Sequence, residues 1–248
     1  MNLFLIYNHE LIREESRFEI TGDRAKQAIS DHDLRDIKNG KEILAGVVNG
    51  QIGKACFSEI SESRISGHFS GERNSPELLK IDLVTAICRP PTVRKVIKLA
   101  ASFGVRSLSL VKTERTEKSY LSSHSLKDHE IDRELLLGLQ QPAATTTPKV
   151  KIYPSLIDLL SSLEQNNENL RFFGDQQALN IRQALGDTLK EATIAIGPEA
   201  GWSSSEIASL QKHRFTAISL GVRSLRVEQA CAALIGCFSM QLSPKENH

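Results

Sequence analysis

Two short loops near the carboxyl end of the chain carry residue types suited to holding a ligand. The first is Gly197-Pro198-Glu199-Ala200-Gly201-Trp202, set between the apolar run Ile194-Ala195-Ile196 and Ser203-x-x-Glu206. Glycines let backbone N–H and C=O groups come close to a ligand, and Pro198 stiffens the turn. The Ser203/Glu206 spacing is a capping box that starts a helix directly after the loop. The second loop is Leu220-Gly221-Val222-Arg223-Ser224-Leu225-Arg226, where an apolar strand again meets a glycine before a helix, now with two arginines three residues apart. Strand-to-helix loops of open parallel sheets are where ligands bind. A tight turn that holds nothing is the alternative for either loop alone. Trp202, the only tryptophan, suits stacking on a base or plugging a hydrophobic gap. Glu228 opens the last helix, where a carboxylate suits the helix dipole.

Such loops need a sheet to position them. Ile81–Ile87 is an apolar run of strand length. Residues 92–103 read as a helix with Val93, Val96, Ile97 and Ala100 on one face, and Gly104 stops it. A strand follows at 105–111, a helix at 123–140, and another helix begins at Leu156. Further strands are expected at 170–174, 193–196 and 216–220, with helices at 203–213 and 227–242. This alternation predicts an α/β domain, a mainly parallel sheet with helices on both faces. The first 70 residues differ. They hold strand-like runs at 4–7, 16–20, 42–48 and 53–57, with turns at Asn39-Gly40 and Asn49-Gly50, the second a hairpin signal. The polar stretch GHFSGERNSP, residues 67–76, reads as a linker, which divides the chain into domains 1–72 and 73–248.

The 248 residues allow one large domain or two smaller ones. The amino terminus lacks the long apolar core of a signal peptide, and no run of 18 apolar residues exists, so no membrane partner is expected. Cys56, Cys88, Cys231 and Cys237 show no C-x-x-C spacing, which suits reduced thiols in a cytoplasm. His124 and His129 are five residues apart, poor spacing for metal ligation, so no metal is expected. There is no G-x-G-x-x-G and no phosphate-binding G-x-x-x-x-G-K-[ST]. The net charge is +1, unevenly spread. Residues 1–75 hold ten Lys and Arg against twelve Asp and Glu, whereas residues 89–118 hold eight basic and two acidic residues, +6 locally. Arg89, Arg94, Lys95, Lys98 and Arg115 could therefore face phosphates, or form a solvated helix face.

Taken together, G-P-E-A-G-W and L-G-x-R-x-L-R-x-E-x-A resemble the RsmE family, the 16S ribosomal RNA uracil-N3 methyltransferases of the trefoil-knotted SPOUT superfamily. The family pattern is I-G-P-E-G-G, then L-G-x-R-I-L-R-x-E-T-A. The stretch RPPTVRKVIKLAASFGVRSLSLVKTERTEKS is similar to the family's lysine-rich helix, strand and (T/S)ERS segment. The resemblance covers nearly the whole chain. It implies a small PUA-like β-barrel RNA-binding domain followed by a SPOUT domain with a carboxyl-terminal knot. It further implies S-adenosyl-L-methionine as cofactor, a homodimer, a cytoplasmic location, and 16S rRNA in the 30S subunit as substrate (U1498 in the family).

The cofactor positions implied by the resemblance are Phe173, Gly174, Ile196, Gly197, Pro198, Glu199, Gly201, Leu220, Gly221, Ser224 and Leu225. Uracil N3 carries a proton and is a weak nucleophile, so the reaction needs help with that proton or with the anion that forms. Arg226 would offset charge on a developing uracilate. Glu199 would act as base or orient an arginine, and Arg223 would contact phosphate. A Glu199–Arg226 ion pair with no chemistry is the other reading. Departures from the pattern are Ala200 for Gly, Ser224 for Ile, Gln229 for Thr, SFGV at 102–105, and LQQPAATTTPKV at 139–150, where the family has an arginine-bearing EQ(S/C)GR. They leave open an alternative, a SPOUT-like RNA-binding or ribosome-assembly protein impaired in catalysis.

Overall fold

A computed structural model describes residues 2–12, 16–32, 34, 40–163, 169–181 and 190–242. The chain clusters into two units, Met1–Glu77 with Leu136–Thr147, and Leu78–Leu135 with Pro148–His248. No helix among the described residues is long and apolar enough to cross a membrane.

The first unit is built on a six-stranded sheet in the order β1-β4-β5-β6-β3-β2. These strands are β1 (Phe4–Ile6), β2 (Leu11–Ile12), β3 (Arg17–Thr21), β4 (Glu42–Val47), β5 (Ile52–Ser61) and β6 (Arg64–Arg73). All pairings are antiparallel except β1 with β4. Phe4, Phe18 and Phe57 meet in its core with centroids 5.4 to 6.0 Å apart, and the helix Gly22–His32 buries Ala25, Ala28 and Ile29 against the same cluster. The Asn49-Gly50 turn joins β4 to β5 as expected, with Asn49 at φ 57°. Asn39, of the other expected turn, lies outside the described residues.

The stretch read as a linker is corrected here. Most of residues 67–76 belong to β6, which pairs with both β5 and β3. Its glycines serve close approach instead of turning. A Cβ on Gly67 would stand 2.2 Å from the Cys56 carbonyl oxygen, and one on Gly71 would meet the Gln51 side chain at 2.2 Å. Gly67→Ala is accordingly expected to destabilise this unit by about 1–3 kcal/mol, the scale of overpacking, read as a fall in the urea midpoint.

The second unit carries a fully parallel sheet in the order β12-β10-β11-β7-β8-β9. Its strands are β7 (Leu79–Ala86), β8 (Val105–Val111), β9 (Lys149–Tyr153), β10 (Asn169–Gly174), β11 (Glu191–Ile196) and β12 (Phe215–Ile218). Successive side chains point to opposite faces. On one face Val84, Val111, Phe173 and Ala195 pack with Leu156, Leu159 and Leu160 of the helix Leu156–Ser162 and with Leu210 of the helix Ser204–Lys212. On the other, Phe172 meets Phe238 of the final helix, Val227–Ser239, at 4.9 Å. The helix Pro90–Phe103 begins two residues before its expected start, because proline is accepted in a first helical turn where N–H groups are unpaired anyway. Gly104 ends it at φ 66°, its N–H bonded back to Ala100 and Ala101.

Candidate functional site

Three loops converge at the carboxyl ends of β10, β11 and β12. Residues 174–177, 196–202, 218–221 and 223–227 line one cavity of about 700 Å³, with Arg115, Ile207, Ala230 and Leu234 completing its wall. That volume falls in the range of small-molecule and cofactor sites.

The β11 loop is fixed at both ends. Its strand is buried throughout its last five residues. At its far end Ser203 Oγ accepts from the Glu206 N–H at 3.2 Å, while Glu206 Oε2 accepts from the Ser203 N–H at 2.9 Å, a complete capping box. Between them, Gly201 donates to the Pro198 carbonyl at 2.8 Å and adopts φ 73°. Trp202 is a buried plug, packed with Phe173, Leu210 and Phe215. Its ring stands against Gly197, where a Cβ would lie 3.2 Å from the indole. The substitution of Ala200 for glycine costs no backbone strain, because Ala200 is not among the residues with positive φ.

The β12 loop is stitched to the β10 loop. Asp175 donates its N–H to Ile218, and Ser219 exchanges backbone bonds with Leu179 and Ile181, each at 2.9 Å. Buried Ser219 accepts from the Gly221 N–H at 3.1 Å. Gly221 then takes φ 116°. From Val222 to Arg226 every residue is exposed, Val222 at 97%. Gln229, one of the departures, accepts from the Arg226 N–H at 3.2 Å and so caps the final helix.

The cavity gathers ten of the eleven expected cofactor positions. The exception is Phe173, which points into the core at 0% exposure. Arg223 and Arg226 also line it. Glu199 Oε1 accepts from the Arg89 backbone N–H at 3.4 Å, and no ion pair joins Glu199 to Arg226 among the described residues. Sequence reasoning missed Asp175, Gln176 and Gln177, polar wall residues whose only signal was their place just after a strand.

The basic segment is less free than its charge implied. Along the helix Pro90–Phe103, Arg94 pairs with Glu130 at 3.8 Å, Lys95 with Glu228 at 3.1 Å and Lys98 with Glu134 at 3.4 Å. Burial works to raise the Glu228 carboxyl, but backbone bonds and the Lys95 ammonium outweigh it and hold the group low. Arg89 has its guanidinium held charged by the Tyr120 hydroxyl. Arg115 turns toward the β11 loop and donates to the Ala200 and Gly201 carbonyls. Cys88 is buried, and that burial, and then the nearby Glu199 carboxylate, push its thiol up to about 12. The departing residues 139–147 belong to the first unit. Thr145 bonds the Gly50 carbonyl and the Ser75 hydroxyl, and Leu3 donates to Gln140, all within the first unit.

Comparison with known proteins agrees with this geometry. A family model described as RNA methyltransferase domain matches residues 74–239. A curated relative, ribosomal RNA small subunit methyltransferase E 1 of Borreliella burgdorferi, is 30% identical over 237 residues, 94% of this chain and 95% of its own. The corresponding protein of Treponema pallidum is 31% identical over 201 residues, 76% of this chain and 73% of its own. Among solved structures, ribosomal RNA small subunit methyltransferase E of Neisseria gonorrhoeae, bound to S-adenosyl methionine, superposes with a TM-score of 0.76 at 17% identity, covering 96% of this chain and 97% of its own. A Legionella pneumophila methyltransferase in complex with the same cofactor gives 0.78 at 18% identity over 99% and 100%. The two structures share the fold, and the sequence relatives share more: the chain belongs to the ribosomal RNA small subunit methyltransferase E (RsmE) family.

Proposed function

We propose that this chain transfers a methyl group from S-adenosylmethionine to N3 of one uridine in 16S ribosomal RNA. The observation that carries this reading is the single cavity formed by the β10, β11 and β12 loops, which holds both glycine motifs and both arginines of the second motif. The cavity suits that cofactor. Loop backbone at Glu199–Gly201, at Gly221 and at Arg223–Leu225 offers hydrogen-bonding groups, Leu225 and Leu234 offer apolar wall, and Asp175 and Glu199 offer negative charge toward a cationic ligand. When bound, S-adenosylmethionine supplies an electrophilic methyl on a sulfonium. The chain's part is electrostatic: Arg226 stands at the cavity wall where it can offset charge developing on the uracil. Glu199, held by the Arg89 N–H, is the candidate base.

The same reading includes a knotted SPOUT-type topology for the second unit, a PUA-like RNA-binding role for the first, and a homodimer. The uncovered Val222 and Leu225, on the β12 loop, support the dimer, since solvent does not favour such apolar exposure beside a site. Calorimetric titration with S-adenosylmethionine tests the pocket, with micromolar binding expected and no heat counting against it. Light scattering tests the dimer, and a monomer at micromolar concentration would contradict it.

For RNA, the ion pairs sort the basic residues. Arg223 is exposed, and no ion pair engages it among the described residues, whereas Arg94, Lys95 and Lys98 already face carboxylates. Each phosphate neutralised contributes about one to the slope of log affinity against log salt. Arg223→Ala is expected to reduce that slope by about one. Joint replacement of Arg94, Lys95 and Lys98 by Ala is expected to reduce it by less than three, because the freed carboxylates were part of the balance.

A further inference from the structure

We infer that Arg115 is a positioning residue for the methyl-donor pocket, a clamp on the β11 loop, and not a contact to RNA phosphate. The inference rests on the cavity being the S-adenosylmethionine site. Its guanidinium lines the cavity and donates through one nitrogen to two consecutive carbonyls, Ala200 and, at 3.4 Å, Gly201. Those are the carbonyls on either side of the left-handed Gly201. Peptide units are planar, so holding a carbonyl also fixes the direction of the N–H on its far side. The Glu199–Gly201 stretch is otherwise exposed, and among the described residues its other tethers are the Gly201 to Pro198 bond and the weak Arg89 to Glu199 bond.

The clamp has a rigid base. The Thr113 N–H donates to Thr116 Oγ1 at 3.0 Å, and that hydroxyl reaches the Ile87 carbonyl at 3.2 Å, which pins the loop after β8 to the end of β7. Beside Arg115, the Glu114 N–H donates to Glu206 Oε1 at 2.8 Å, and Ser205 donates to the Glu114 carboxylate. Hydroxyl bonds from Ser205 and Ser203 hold Glu114 below the usual carboxylate range, so it stays an acceptor. Glu206 therefore caps its own helix with one oxygen and ties the two loops with the other. A basic residue meant for phosphate would present its donors to solvent. Arg115 spends two on the carbonyls that shape the cofactor loop.

The test uses the full-length chain with Arg115→Ala and Arg115→Lys. Hydrogen bonds from charged groups are worth roughly ten- to a hundredfold in an equilibrium. Arg115→Ala is expected to weaken S-adenosylmethionine binding, and to raise its KM, by about tenfold or more, with kcat at saturating cofactor falling less. Arg115→Lys is expected to recover part of the loss, since one ammonium can reach one of the two carbonyls. The salt slope of RNA affinity is expected to stay at the wild-type value in both. If Arg115→Ala binds cofactor like the wild type, or if it lowers the salt slope by about one, Arg115 is an RNA contact and the inference is wrong. Failure of the wild-type chain itself to bind S-adenosylmethionine would instead overturn the underlying function. Because the side chain is exposed, an unchanged melting temperature is expected, which separates loop positioning from global unfolding.

Discussion

Gly201→Val is expected to abolish S-adenosylmethionine binding while leaving the chain folded. Gly201 sits at φ 73°, in the left-handed region. An ordinary L-residue pays about 1–2 kcal/mol there, and a β-branched one more, because its two branches restrict χ1 and crowd the backbone. The protein itself leaves room: a Cβ would meet only the Arg115 guanidinium, at 3.9 Å. The first effect is therefore on loop conformation, and the second is that the valine methyls occupy cavity volume where ligand must lie. Both act on binding, and neither touches the core, since Gly201 is exposed. A loss of at least about a hundredfold by calorimetry is expected, against roughly tenfold for Gly201→Ala, which carries the φ penalty alone. Wild-type affinity in the valine variant would show that this loop does not face the cofactor.

Arg226→Ala is expected to separate binding from chemistry. Arg226 lies at the end of the β12 loop, one residue before the final helix, with its side chain exposed at the cavity wall. Its backbone is held by the Gln229 side chain and by the Ala230 N–H, so truncating the side chain leaves the loop in place. Cofactor affinity is then expected to stay within about threefold, a shift of under 1 kcal/mol. Turnover on 30S particles is expected to fall by roughly two to three orders of magnitude, the scale for losing one preorganised charge-stabilising donor. Methyl transfer at the wild-type rate would make the arginine structural.

The second unit was the more legible part of the chain. Strand β8 was read to its ends, and β7, β10 and β11 within a few residues, because buried parallel strands leave dense apolar runs. Strand β9 was missed. Its Lys149-Val150-Lys151-Ile152 alternation is that of an exposed edge, where charge guards against unwanted pairing. Strand β6 was missed for the opposite reason. Glycine, usually a breaker, stands in it at position 67 because the backbone of β5 comes too close for any Cβ. The site itself was legible as two motifs, and their convergence follows from their strands, β11 and β12, which flank β10 in one parallel sheet. What could not be read was pairing. Local charge count left residues 89–118 open as a phosphate surface or a solvated helix face, and it could not show their partners, because Glu130, Glu134 and Glu228 come from helices far along the chain. Of the expected positions on β10, the Phe173 side chain lies in the core and Gly174, one residue on, lines the cavity, because successive side chains in a strand point to opposite faces.

The most direct test of the function is to incubate the purified chain with methyl-labelled S-adenosylmethionine and 30S particles from cells lacking the protein, and then to identify the labelled nucleoside by mass spectrometry. The expected result is 3-methyluridine at one position of 16S ribosomal RNA, lost with Arg226→Ala. Label found on a ribose hydroxyl or another base, or no label with the wild-type chain, would contradict it.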